Sequence, residues 1–465
     1  MKRRVCVMIV LALVSAVPAG AQILGRDRPE RPNRAVFGST KGLTGQLLTV
    51  DGSAGAGALN LEDSNVAGSD LNPTIWNSFA SASAGASYTL DRAWVGLDSS
   101  IETSWRRYPA ADENSRATYG GATFVARAPL GSRTSLDGHA TVSYQPISVS
   151  TLFPGLFGGG SSDASSPAAF DSHLFPGPSG GTASGSSSQA AFELIGETEQ
   201  YVTGSAGAGL THAFSARSSL TAGYEYTRAG ESSALSDRDD SWAFVRYDQE
   251  ILRGLTLRAG YANRQGTYHD VVEDSAVDRR VRTDSIDAGV SYSRALSFSR
   301  RTHLAFSSGS TVVSDGGTRR YDITGNATVT RELGRTWNAA VTYSRQAGFV
   351  DTFAAPAFSD SVAGAVVGLI TRRITASAGA GASRGQIGVR DANGYWSYQG
   401  NVQLGVALSR VIECSFEYAA YSYEFDSADF VPVIAGTRAA QQIAQVTIGV
   451  WVPLLERVRR SHAAR

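Results

Sequence analysis

Between residues 319 and 349 the chain alternates between apolar and polar positions. Tyr321, Ile323, Ala327, Val329 and Leu333 fall on one face, and Asp322, Thr324, Asn326, Thr328, Thr330 and Glu332 fall on the other. A period of two predicts a β-strand with one oily and one polar side. Gly334-Arg335-Thr336 interrupts the run, after which Trp337, Ala339, Val341 and Tyr343 alternate with Asn338, Ala340, Thr342, Ser344 and Gln346. The pair reads as a hairpin with a tight end. At about 3.3 Å per residue and a tilt near 40°, a strand of roughly 10 to 13 residues climbs about 25–30 Å, the thickness of a bilayer core. The hairpin is predicted to span a membrane.

Eighteen such strands can be marked along the chain, from 46–57 to 440–453, and a reading with 16 remains open. The fold class is all-β: a transmembrane antiparallel up-and-down β-barrel of about 18 strands. Its connections sort by length. Short ones centre on 91–92, 131–133, 215–217, 253–254, 298–301, 334–336, 371–373 and 409–411, each with an arginine, whereas 110–116, 229–240, 266–282, 350–360 and 426–439 are longer and polar. A membrane barrel has short periplasmic turns and long external loops, so the count is even and both ends of the barrel lie in the periplasm. On one strand Val95, Leu97, Ile101 and Trp105 are assigned to lipid, opposite Asp98, Ser100, Glu102 and Arg106. On another Tyr398, Val402, Leu404, Val406 and Leu408 face out, opposite Ser397, Gln399, Asn401 and Gln403. The runs 241–252 and 361–370 are ambiguous.

Composition narrows the class. The chain has 465 residues, with 42 basic and 42 acidic side chains, 50 Gly and 2 Cys. No apolar run of about 20 residues is present to suit a helical membrane bundle. Lys2, Arg3 and Arg4 precede the apolar run 5–17, and Ala19-Gly20-Ala21 follows, which predicts a secretory signal peptide over 1–21. Its loss tips the charge balance toward acid and leaves Cys414 as the one thiol. The expected organisation is a periplasmic tail over 22–42, a barrel over 43–454 with a long loop at 147–199, and a second periplasmic tail over 455–465.

The last strand ends Thr447-Ile448-Gly449-Val450-Trp451-Val452-Pro453-Leu454. It resembles the C-terminal assembly signal of Gram-negative outer-membrane β-barrel proteins, porin-like in class, although it lacks a terminal aromatic. The resemblance implies an integral outer-membrane location and the barrel assembly machinery as a partner. Aromatics followed by arginines, such as Trp105 with Arg106, Tyr226 with Arg228 and Tyr343 with Arg345, suit the lipid boundary, where outer-membrane lipid is the expected partner.

The candidate lumen-facing set is Asp98, Glu102, Arg106, Arg127, Asp137, Glu225, Arg258, Arg264, Asp287, Asp322, Glu332, Glu413 and Glu417, an excess of acid that favours cations in a wet tube. Mutual pairing across strands is the competing explanation. The loop 147–199 carries Leu152-Phe153-Pro154-Gly155 and again Leu174-Phe175-Pro176-Gly177. Leu152, Phe153, Leu174 and Phe175 are candidates for docking a constriction loop inside the barrel. No catalytic constellation, cofactor motif, metal-ligand rhythm or nucleic-acid patch is recognisable. His139 and His303 are expected to face inward as lone polar groups, and Asp270, Glu273, Asp274 and Asp278 as a solvated loop. The expected function is a channel passing small polar solutes or ions. The alternatives are an exopolysaccharide export or assembly barrel with polysaccharide as partner, and a surface structural or adhesive barrel.

Overall fold

The computed structural model describes residues 44–62, 76–92, 95–107, 116–146, 200–230, 237–272, 275–296, 299–315, 318–333, 336–349, 356–389, 393–409, 411–426 and 438–458. The strands of the first half are β1 (Thr44–Glu62), β2 (Asn77–Arg92), β3 (Val95–Arg107), β4 (Arg116–Pro129), β5 (Thr134–Pro146), β6 (Gln200–Ser215), β7 (Ser218–Gly230), β8 (Asp237–Leu252) and β9 (Leu255–Val272). The second half supplies β10 (Ser275–Leu296), β11 (Ser299–Asp315), β12 (Thr318–Leu333), β13 (Trp337–Phe349), β14 (Pro356–Thr371), β15 (Ile374–Ile387), β16 (Asn393–Ala407), β17 (Ile412–Phe425) and β18 (Arg438–Val458). Each strand pairs antiparallel with its sequence neighbours, and β1 pairs with β18, so the sheet closes into an 18-stranded barrel. Closure leaves no sheet edge, which is what allows strands to cross hydrocarbon.

Burial follows the pleat. On β16, Trp396, Tyr398, Val402 and Leu404 are exposed, as is Leu408 just past its end, while Asn393, Tyr395 and Ser397 of the alternate register are buried. On β12 the exposed set is Tyr321, Ile323, Val329 and Leu333, and the buried set is Asp322, Asn326 and Thr328. Large apolar side chains point outward and polar ones inward, the reverse of a water-soluble sheet. Short turns close the lower rim. At Arg253-Gly254 the glycine has φ 82°, the left-handed conformation that a two-residue hairpin needs and that glycine takes without a Cβ penalty.

Several connections are shorter than the alternation suggests. The expected loop 266–282 is mostly strand, since β9 and β10 stay in register as far as Ser275↔Val272, with Asp278 opposite His269. Likewise β14 begins at Pro356, inside the expected loop 350–360, and β18 continues past Leu454. The apolar outer positions stop at the lipid boundary, whereas the hydrogen-bond ladder continues into water with charged residues on both faces. Periodicity therefore marks the membrane band and not the strand end. The loop 147–199, with Leu152, Phe153, Leu174 and Phe175, lies outside the described residues, as do the expected signal peptide and both tails up to Thr44 and beyond Val458.

One stretch of the wall is not laddered to the top. The β12–β13 register ends at Gly325↔Arg345, although β12 continues to Thr318 beside β11 and β13 continues to Phe349 beside β14. Above that point Arg320, an inward-set residue of β12, bonds Gln386 of β15 at 2.9 Å and lies 3.9 Å over the ring of Phe358 of β14. Both partners belong to the outward set of their strands. The upper part of β12 thus laps over the outer face of β13–β15, and the lap is fastened by Arg345 donating to Asp322 at 2.8 Å.

The rim assignment has a direct check. With Cys414 replaced by serine, a cysteine at Asp426, exposed on the long-loop rim, should react with an impermeant thiol reagent on intact cells. Cysteines at Ser132 and Ser215, exposed on the short-turn rim, should react only after the cells are opened. The reverse pattern overturns the orientation.

Candidate functional site

The inner face is the candidate site, and register places most of the expected residues on it. Asp51 of β1 and Glu102 of β3 both pair with Gly85 of β2. Glycine supplies no side chain between them, so the two carboxylates flank one gap. Asp98 lies on the same inner face of β3, and Glu413 and Glu417 line β17, where Gln445 donates to Glu417 at 2.9 Å. Together these form an acidic wall running from β17 through β1 to β3. Arg106 stands at its upper end, buried and 4.6 Å over the ring of Phe79.

Across the ring, β8 and β9 carry the guanidiniums. Arg264 donates through Nε to Asp240 at 2.6 Å, and Arg238 lies 3.8 Å from the same carboxylate. Arg246 bonds Asp248 at 2.8 Å. Arg258 reaches the carbonyl of Ser308 at 3.3 Å. That carbonyl is within reach because the β10–β11 ladder skips between Ile286 and Ser291, and because Gly289, opposite Arg258, leaves the path clear. Trp242 stacks on Phe244 at 4.5 Å, and Phe244 lies over Gly223, where an added Cβ would come within 2.5 Å of the ring. Between the two walls, Arg127 pairs with Asp137 at 3.6 Å and His139 approaches Glu225 at 3.8 Å.

Of the remaining expected positions, Asp322 faces the lap described above and is shared by Arg320 and Arg345. Glu332 and His303 lie in the inward register of β12 and β11. Asp287 pairs with Gly260, and its side chain lies outside the described residues. Among the described residues no three His, Cys, Asp or Glu side chains converge as a metal site.

Sequence reasoning missed two features of this surface. Asp51, Arg238, Asp240, Arg246 and Asp248 went unassigned. An arc of inward aromatics went unseen: Tyr395 and Phe425 lie 6.0 Å apart, with Tyr421 and Tyr423 beside them. Tyr395 needs Gly385 beneath it, where a Cβ would stand 2.6 Å from the ring.

On the outside, an aromatic-and-charge belt marks the upper lipid boundary. Trp105, Tyr226 and Tyr343 are exposed in the outward register. Tyr226 donates to Asp239 at 2.6 Å, and Arg228 and His269 lie 3.9 and 3.2 Å from the same carboxylate. Tyr261 donates to Asp284 at 2.7 Å, which also accepts from Asn263 and Arg282 at 2.8 and 3.0 Å. Tyr343 donates to Asp360 at 2.8 Å, with Arg345 at 3.5 Å. Further round, Arg384 sits 4.9 Å over Trp396, which stacks on Tyr398.

No protein-family model matches the sequence, and no curated protein matches it. Solved structures similar in shape include the ferric-catecholate import receptor Fiu from E. coli K12, with 9% identity and a TM-score of 0.40 over 87% of this chain and 81% of that one. The FrpB iron transporter from Neisseria meningitidis aligns at 10% identity and a TM-score of 0.42, over 90% of this chain and 83% of that one. Outer-membrane expressed OmpT of Vibrio cholerae gives 11% identity and a TM-score of 0.34, over 88% and 98%. A closed antiparallel wall with an apolar exterior, an aromatic belt and a charged interior pairs backbone groups from strand to strand, as a wall in hydrocarbon must. The chain is a closed 18-stranded antiparallel β-barrel of the membrane-spanning kind.

Proposed function

We propose that the barrel is a porin-like channel for small polar solutes or ions, with a preference for cations. The supporting observation is the acidic wall of Asp51, Asp98, Glu102, Glu413 and Glu417 facing the guanidinium-bearing wall of β8–β9 across the lumen. An 18-stranded ring encloses more space than its inward side chains fill. Carboxylates on a water-filled surface raise the local concentration of cations. Asp240 and Asp248 offset two of the four arginines opposite, against five carboxylates on the acidic wall, so the acidic wall sets the sign. A field directed across the lumen also orients dipolar solutes and gives apolar ones nothing to exchange for their passage.

Planar-bilayer recording of the refolded barrel tests this reading. Stable conductance with cations more permeant than anions is expected, and the double substitution Asp51→Asn with Glu102→Gln should move the permeability ratio toward one. An export barrel closed without its partners, or an adhesive barrel, would stay silent, and silence overturns the channel.

A further inference from the structure

Each of the eight short connections carries an arginine, and a channel has no use for them. One carboxylate, Asp91, occurs among all eight, whereas the long connections of the opposite rim are rich in Asp and Glu. Arg217, Arg253, Arg301 and Arg372 are exposed, as is Arg133, which donates to the carbonyl of Phe214 at 3.4 Å. The side chains of Arg92, Arg335 and Arg410 lie outside the described residues.

Other groups fasten these turns. Ser215, Thr371 and Ser409 each accept from the backbone N–H two residues on, at 3.1, 3.2 and 3.2 Å, an arrangement that orders a turn through a hydroxyl of its own. Glu250 accepts from the N–H of Gly254 at 3.2 Å. The arginine side chains are thus spare to the turn and stand in solvent. Turns of two or three residues leave nothing projecting past them, so the charges lie at one level, about 10 Å apart from hairpin to hairpin. That is about one Debye length in dilute salt, and the potentials of neighbours merge into a band. The segments 22–43 and 459–465, which adjoin β1 and β18 at the same rim, carry more Arg and Lys than Asp and Glu and add to its sign.

We propose that the short-turn rim docks onto the peptide-crosslinked glycan of the cell wall, a polymer whose stem peptides carry free carboxylates. A level circle of guanidiniums suits a repeating polyanion laid parallel to the membrane. A compact acidic protein would cover a few turns and leave the others unmatched. Guanidinium and carboxylate pair bidentately. Each exposed pair contributes little by itself, but several held on one rigid ring bind together through their effective concentration. Docking needs this rim to face the periplasm, which the thiol labelling decides separately, and the reverse labelling pattern overturns the docking as well.

Co-sedimentation of the full chain, held in nanodiscs of zwitterionic lipid, with purified wall sacculi tests the assignment. The wild type should pellet with native sacculi and stay in solution with sacculi whose carboxylates have been amidated. Arg217→Gln, Arg253→Gln, Arg301→Gln and Arg372→Gln combined should weaken binding by about tenfold or more. The long-loop-rim control Arg107→Gln, Arg228→Gln, Arg282→Gln and Arg319→Gln combined, all exposed positions, should not. Heat-modifiable gel mobility shows whether each variant is folded. Should the fourfold short-turn variant fail to close, Arg217→Gln with Arg253→Gln, and Arg301→Gln with Arg372→Gln, should each weaken binding. Equal binding by the folded short-turn variants and wild type overturns the proposal. So does equal loss in the control, or undiminished binding to amidated sacculi. Vesicles of phosphatidylglycerol that pellet the barrel as well as sacculi do would move the partner to anionic lipid, and binding that needs added periplasmic protein would move it to a protein. Either result overturns the wall as partner. Conductance does not enter the test, so a silent barrel leaves the docking standing.

Discussion

Arginine at Leu404 should destabilise the barrel by about 2–4 kcal/mol, the cost of a cation near mid-bilayer on the lipid face. Arginine at Gln403, the adjacent residue, should cost little. Leu404 is exposed on the outside of β16 between Tyr398 and Leu408, whereas Gln403 pairs with Glu417 on the inner face. A guanidinium there enters the lumen beside a carboxylate. Urea unfolding in lipid vesicles compares the two, and equal penalties would refute the register of β16.

The second large effect is expected at Asp240. Its carboxylate is 4% exposed and lies between Arg264 and Arg238. Removing one partner from a buried charge pair costs about 3–5 kcal/mol, so Asp240→Ala should destabilise by about 3 kcal/mol or more. Asp239→Ala, one residue earlier, removes a carboxylate from the partly exposed outer rim, where such pairs contribute about 0–1 kcal/mol. A similar midpoint shift for both in the same denaturant series would show that the β8 faces are exchanged.

Strand number, closure and the faces of β3, β12 and β16 are all legible in the sequence. Lipid imposes a strict rule on outward positions, and a rule of period two is easy to read. The ambiguity of 241–252 and 361–370 has a structural cause. On β8, Trp242 and Phe244 point inward while Val245 and Tyr247 point outward; on β14, Val367 and Leu369 oppose Val366 and Ile370. With apolar residues on both faces, alternation carries no sign. The same holds at the top of β17, where Tyr421, Tyr423 and Phe425 face inward. Those rings pack on one another and on Tyr395, which lies over Gly385 of the neighbouring strand, a relation between distant residues that no single strand displays. The partners of Asp240 were hidden for the same reason, since Arg264 lies 24 residues away. The belt of tyrosines and arginines was half visible: each Tyr-x-Arg could be seen, but its aspartate could be found only through the register.

The lap above Gly325 makes the wall uneven as a mechanical object. Elsewhere, apart from the skip between β10 and β11, separating neighbouring strands means breaking a ladder whose bonds each contribute about 0.5–1.5 kcal/mol net, and the ring resists as a whole. Between β12 and β13 the ladder is already cut along 318–324, and side chains take its place: Arg320 on Phe358 and Gln386, and Arg345 between Asp322 and Asp360. Side-chain fastenings loosen with salt and slide, where backbone pairs only make or break. The long-loop end of this seam is therefore held by contacts that weaken as ionic strength rises, while the rest of the β12–β13 seam is held by backbone pairs that do not.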